Sequence, residues 1–145
     1  MIAERWAVAA ERALAAGGRR RGGARAAIVR LLDRQACALS TAEIGEALRE
    51  EDREVSRASI YRVLEELEEA GMLQRVEAER GTVRYEAIRH GAGHHHHFVC
   101  NRCGRLERFA DAELERAIDR SSERLPVRVL QHEIVFRGAC AACAA

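Results

Sequence analysis

The sequence predicts an α+β protein in two parts: a helical N-terminal domain finished by a β-hairpin, then a small α/β domain stapled by metal. Three observations predict it. Apolar residues recur at helical spacing in four successive segments before Gly71, and two short strand-like segments follow around Glu79-Arg80-Gly81. Two Cys-x-x-Cys pairs, Cys100/Cys103 and Cys140/Cys143, bracket the last third of the chain. Four consecutive histidines, His94 to His97, stand just ahead of the first pair.

The chain has 145 residues, enough for one domain or two small ones. Apolar residues make up 48% and charged residues 32%, which allows cores and a well-solvated surface. No apolar run approaches the ~20 residues that span a bilayer, and the start Met1-Ile2-Ala3-Glu4-Arg5-Trp6 lacks a signal-peptide layout. The expectation is a soluble cytoplasmic protein without a membrane partner. Four of the five cysteines sit in the paired motifs, which suits metal binding in a reducing compartment better than disulfides; Cys37 stands apart. A net charge of +1 makes no general case for nucleic acid. The distribution is more telling: Arg19, Arg20, Arg21, Arg25, Arg30 and Arg34 face a single acid, Asp33, between residues 19 and 34, a footprint for an anionic partner.

The elements follow in order. Residues 2–16 read as a helix with Trp6, Ala9, Ala10, Ala13 and Leu14 on one stripe, ended by Gly17-Gly18. Residues 24–34 form a second helix with Ile28, Leu31 and Leu32 inward. Ser40 or Thr41 caps a helix over 42–49, and Ser56 caps one over 57–70 that buries Ile60, Val63, Leu64 and Leu67. Gly71 ends it as a left-handed terminator. Strands over 72–78 and 82–88 complete the order of a winged helix, residues 1–88, whose helix pair 42–49 and 57–70 is a helix-turn-helix. Residues 89–93 read as a hinge. In the domain over 94–145, short strands surround the first cysteine pair, Asp111 caps a helix to about Leu125, Pro126 ends it, and Val127 to Arg137 alternates as one long strand. A unit this small needs a staple or a partner subunit.

Each Cys-x-x-Cys turn brings two thiolates to one ion, so Cys100, Cys103, Cys140 and Cys143 make a closed tetrahedral zinc site with a structural role. The histidines must serve elsewhere. On an extended chain alternate side chains face opposite ways. His94 and His96 can therefore join Glu115 and His132 in one imidazole-rich site suited to zinc or ferrous iron. His95 and His97 can join Glu86, at the end of the wing, and His90, in the hinge. A metallohydrolase that used the site of His94, His96, Glu115 and His132 with an open position would need a general base, and Glu133, beside His132, points to the opposite strand face, so no enzyme is expected. In a winged helix the recognition helix enters the major groove of double-stranded DNA, where Arg57, Ser59, Tyr61 and Arg62 of its first turns reach base edges.

The run Ser56-Arg57-Ala58-Ser59-Ile60-Tyr61-Arg62-Val63-Leu64, with Gly71-Met72-Leu73, Tyr85-Glu86, the four histidines, Cys100-x-x-Cys103-Gly104, His132-x-Ile134 and the closing cysteine pair, resembles the ferric uptake regulator family over roughly residues 20–143. The resemblance implies a homodimeric, metal-dependent transcriptional repressor of metal-uptake or metal-homeostasis genes, with a winged-helix domain, a dimerisation domain and a palindromic operator. It assigns the four cysteines to structural zinc, His94, His96, Glu115 and His132 to a regulatory site, and Glu86, His95 and His97 to a hinge site. It makes Tyr61 and Arg62 DNA contacts, with Arg20 and Arg25 as the basic pair ahead of them. The chain departs from the family pattern at Cys37-Ala38-Leu39, where a hinge-site histidine is common; Cys37 or His90 completes that site here. Glycine and alanine replace a Thr-Pro pair before the second helix, and Glu115 stands where peroxide-sensing members have aspartate. A constitutive zinc-stapled DNA-binding protein without metal sensing is the alternative.

Overall fold

The computed structural model describes residues 5–18, 22–89 and 94–144. The chain forms two compact units, Met1–Ala92 and Gly93–Ala145. The first contains α1 (Trp6–Ala16), α2 (Gly23–Arg34), β1 (Leu39–Ser40), α3 (Thr41–Glu50), α4 (Arg57–Glu69), β2 (Leu73–Glu77) and β3 (Val83–Ala87). One apolar stripe from each helix meets the others: Trp6 and Leu14, then Ile28, Leu31 and Leu32, then Ile44 and Leu48, then Ile60, Leu64 and Leu67. The helix starts are fixed chemically. Ser40 and Glu43 form a reciprocal capping box on α3, and the Ser56 hydroxyl accepts from the Ser59 amide on α4. Gly71 ends the α4 turn at φ +69°, a conformation that any β-carbon would strain.

The wing is an antiparallel sheet in the order β1-β3-β2, with Leu39 opposite Tyr85 and Arg75 opposite Tyr85 on the other side. The two-residue β1 is too short to carry a periodicity, so the sequence does not announce it. Arg89, read from the sequence as hinge, is instead fastened to the end of α2. Its guanidinium donates to the carbonyls of Leu32, Asp33 and Gln35 at 3.1, 2.7 and 3.3 Å and to the Asp33 carboxylate at 3.2 Å. A cation there satisfies carbonyls that a helix C-terminus leaves unpaired. Arg89→Ala is expected to destabilise this unit by roughly 1.5–3 kcal/mol, the worth of hydrogen bonds to a charged group. Thermal unfolding checks it, and an unchanged midpoint would remove the clamp from the account.

The second unit contains β4 (His96–Cys100), β5 (Leu106–Phe109), α5 (Ala112–Ser122), β6 (Val135–Gly138) and α6 (Ala141–Ala144). Its sheet runs β5-β4-β6, antiparallel to β5 and parallel to β6. Asp111 caps α5, accepting from the Glu113 and Leu114 amides at 2.8 and 2.9 Å. Two expectations are corrected. The helix ends at Ser122 rather than near Leu125, and the long strand from Val127 shrinks to Val135–Gly138. A strand needs a partner, and β4 offers a ladder only from the level where His97 faces Val135. Residues 127–133 carry the alternating pattern but form no ladder among the described residues, Ile134 reaches β4 through its carbonyl, which accepts from the His97 amide at 3.1 Å, and Val127, Val129 and Leu130 lie exposed.

Candidate metal centres

Central β4 gives the site its frame. Alternation along the strand sends His96 to one face and His97 to the other, both fully buried. Cys100 at the strand end begins the first knuckle, where Gly104 takes φ +73° and its amide donates to the Cys100 carbonyl at 3.0 Å. The second knuckle follows β6, with Cys140 at its end and Cys143 on α6. Their four sulfurs lie within 4.8 Å of one another, and Cys103 Sγ is 3.7 Å from Cys140 Sγ. A tetrahedron with Zn–S bonds of about 2.3 Å has edges of about 3.8 Å. Arg102 latches the knuckles by donating to the Cys143 carbonyl at 2.6 Å.

The thiols are not equivalent. The Cys140 amide, helped by those of Cys103 and Arg102, pulls Cys100 down to about 6. The Cys143 thiol donates to the Cys140 and Cys103 sulfurs, and these hydrogen bonds, with burial, push it up to about 12. Four sulfurs this close cannot all ionise by themselves; a cation among them resolves the conflict, and the donor set suits zinc.

On one face of the sheet, the four donors of His94, His96, Glu115 and His132 lie within 4.8 Å of one another. Glu115 sits in the first turn of α5, where the helix dipole favours a carboxylate. Its Oε1 lies 2.6 Å from His96 Nε2 and 3.9 Å from His94 Nε2, and its Oε2 lies 3.1 Å from His132 Nε2. His96 Nε2 and Glu115 Oε1 are buried and, close as they are, do not meet with hydrogen-bond geometry. Two buried donor atoms aimed into a common space fit a cation. Burial works to raise Glu115, but the close His96 ring, the His132 hydrogen bond and the neighbouring His94 outweigh it and hold the carboxyl below its ordinary value. Burial also lowers His94, against the pull of Glu115. Both shifts keep these ligands proton-free at neutral pH. The Ile134 amide donates to His96 Nδ1 at 3.2 Å. A neutral ring that holds metal through Nε2 carries its proton on Nδ1, so that contact must give way on loading.

On the other face, the rings of His95 and His97 lie 5.1 Å apart. His97 Nδ1 is 3.2 Å from Glu133 Oε1. Sequence reasoning set Glu133 aside as a base and gave it no place beside His97. The signal was available: it follows His132, so it faces away from Glu115 and toward the His97 side. Glu86, expected in the hinge site, is buried on β3 of the first unit and accepts from the Gln74 amide nitrogen at 3.1 Å. His90 and Arg20 lie outside the described residues.

Of the expected DNA-contact residues, Arg57, Tyr61 and Arg62 are exposed on the first turns of α4, and Ser59 is half-buried, its hydroxyl accepting from Ser56 Oγ at 2.9 Å. Arg25 is a correction. It is only 4% exposed and donates to Glu11 of α1 at 3.0 Å, so it braces α1 on α2 instead of facing a groove. An arginine at the start of α2 reads equally well either way until α1 supplies the acid. Arg84 of the wing is tied to Glu43 of α3 at 3.0 Å.

A winged helix with an exposed basic face, followed by a unit built on converging thiol and imidazole–carboxylate donors, defines a metal-responsive DNA-binding regulator. Comparison with known proteins agrees. Residues 16–137 match the model of the Ferric uptake regulator family. The chain is 37% identical over 107 residues to the ferric uptake regulation protein of Neisseria meningitidis serogroup A, covering 74% of this chain and 73% of that one. The structure is similar to that of the Helicobacter pylori ferric uptake regulator, described as having three functional metal binding sites: TM-score 0.82, 26% identity, 97% of this chain and 92% of that chain covered. The Vibrio cholerae regulator, described as showing rearrangement of its DNA-binding domains, gives a TM-score of 0.78 at 28% identity, over 89% of this chain and 98% of that one. The chain belongs to the ferric uptake regulator family, and its function is metal-responsive repression of transcription. Among the described residues, no helix is long and apolar enough to cross a membrane.

Proposed function

We propose that the chain is a homodimeric repressor of metal-uptake or metal-homeostasis genes that binds a palindromic operator when zinc or ferrous iron fills its histidine sites. The observation that carries this reading is the convergence of His94, His96, Glu115 and His132 beside a separate four-cysteine cluster. The cysteines saturate a structural zinc, which leaves the imidazole–carboxylate set as the exchangeable one. Glu86, His95 and His97, with His90 or Cys37, form a second exchangeable site across the hinge. Bound there, the ion supplies a cross-link between ligands from the two domains. Glu86 then holds the wing, and His95 and His97 hold the dimerisation domain, at one relative angle. Fixing that angle sets two recognition helices at half-site spacing and removes a conformational cost from DNA binding.

Dimerisation is supported by apolar surface that the second unit leaves uncovered. None of the residues of α5 is buried, and Leu125, Val127, Leu130 and Phe136 are all more than half exposed. A small unit with such a face is completed by a second copy.

Arg57, Ser59, Tyr61 and Arg62 serve as the groove-reading residues. Arg62→Ala or Tyr61→Ala is expected to weaken operator binding by about 1–3 kcal/mol while leaving dimer and metal content unchanged. Fluorescence anisotropy on an operator selected from randomised DNA reads both. Mobility shifts on the same operator, with and without added zinc or ferrous iron, test the switch. Equal binding after chelation that spares the cysteine zinc would leave only a constitutive DNA binder.

A further inference from the structure

We propose that Glu133 is the positioning residue of the hinge site, holding the ring proton of His97 on Nδ1 so that Nε2 is left bare for metal. The proposal deepens the hinge-site reading above and rests on it. It starts from a contrast between two adjacent histidines. His96 Nδ1 receives a hydrogen bond from the Ile134 backbone amide at 3.2 Å. His97 Nδ1 instead faces the Glu133 carboxylate at 3.2 Å. An amide can only donate and an ionised carboxylate can only accept, so these neighbours select opposite ring tautomers. Residues 133 and 134 thus treat the two faces of β4 differently.

The consequence follows from ligand chemistry. A neutral imidazole has one bare nitrogen, and that nitrogen alone can bind a cation. His97 is fully buried, so its ring cannot borrow water to change tautomer cheaply. With Nδ1–H donated to Glu133, the ring is already in its metal-ready form. A carboxylate on the far nitrogen also makes the ligating nitrogen more basic, which is the usual task of an outer-shell partner. Glu133 reaches His97 from the segment just ahead of β6, in register with β4, so its position is set by the same parallel pairing that places Val135 opposite His97.

The test uses the full-length protein with zinc in its cysteine site, as wild type, Glu133→Gln and Glu133→Ala. Long-range 1H–15N spectra report each histidine tautomer, with His97 assigned by its loss in His97→Gln. His97 is expected as Nδ1–H in wild type and in Glu133→Gln, whose amide oxygen still accepts, and as a mixture in Glu133→Ala. Zinc competition should show one of the weaker equivalents reduced about 10–100-fold in Glu133→Ala with the other unchanged. In Glu133→Gln the reduction should be about 3-fold, since a neutral acceptor bonds more weakly than a charged one. A wild-type His97 protonated on Nε2 overturns the proposal, and so does unchanged zinc affinity in Glu133→Ala. Loss in Glu133→Gln as large as in Glu133→Ala also overturns it, because the carboxylate is then a ligand. If wild type takes no zinc beyond the cysteines, the hinge reading itself falls; wild type and Glu133→Ala binding equally well removes only Glu133.

Discussion

Cys100→Ser is expected to abolish the folded second unit along with its zinc. Among its described residues, that unit buries Val99, Cys100, Cys140, His96 and His97. Only one of these side chains is a hydrocarbon, so apolar burial at roughly 25 cal/mol per Å² has little to act on. Structural zinc in small domains supplies an apparent ~10–16 kcal/mol at neutral pH, more than the whole stability of most domains. Serine is close to cysteine in size but does not give up its proton to zinc at neutral pH. It also removes the sulfur that accepts from the Cys140 amide at 3.3 Å. The variant should lose one chelator-resistant zinc per chain by mass spectrometry. It should also lose the dimer on size exclusion, since the exposed apolar face belongs to the same unit. The first unit has its own core from Trp6 to Ala87 and is expected to keep its helical circular dichroism. A zinc-free Cys100→Ser protein that still ran as a dimer would sink the idea that the clamp holds this unit.

Much of the site was legible in the sequence because the relevant rules are local. Cys-x-x-Cys spacing, strand alternation through His94–His97 and the Asp111 cap that aims Glu115 each act over a few residues. Ser40, Ser56 and Gly71 fixed the helix boundaries for the same reason. What was not legible depends on partners distant in the chain. β1 exists only because β3 pairs with it at Tyr85. The expected strand from Val127 fails because its pattern says nothing of whether a neighbour is present. Arg25 carries the same charge as its neighbours, and only Glu11 takes it out of the basic surface. Glu133 was read solely for the face it avoids, since the register that brings it to His97 is a property of the β4–β6 pairing.

Glu115→Ala is expected to uncouple DNA binding from metal while leaving the fold intact. Glu115 is the one anionic ligand in its cluster, and it faces three imidazoles through two oxygens. Its loss removes both a donor and the charge that offsets a divalent cation. The affinity of that site should therefore fall by more than the roughly 10–100-fold that loss of an outer-shell partner costs. Folding should suffer little. Asp111 still caps α5, alanine favours helix, and the lost dipole interaction is worth about 0.3–1 kcal/mol. Zinc at the cysteines should stay at one per chain. Operator affinity at metal concentrations that saturate wild type should drop to that of chelated wild type. Glu115→Gln separates charge from shape: its amide keeps one oxygen, but its NH2 donates toward the imidazole nitrogens and repels a cation. It should bind metal nearly as poorly as alanine. Acid should reproduce the effect in wild type. His94 and Glu115 are both held below their ordinary values, so the site stays loaded through neutrality and empties only when the pH falls below the ordinary imidazole range and His94 takes up its proton. Glu115→Ala protein that still needs metal to bind its operator, at wild-type concentrations, would exclude His94, His96 and His132 from the switch and leave it to the hinge ligands alone.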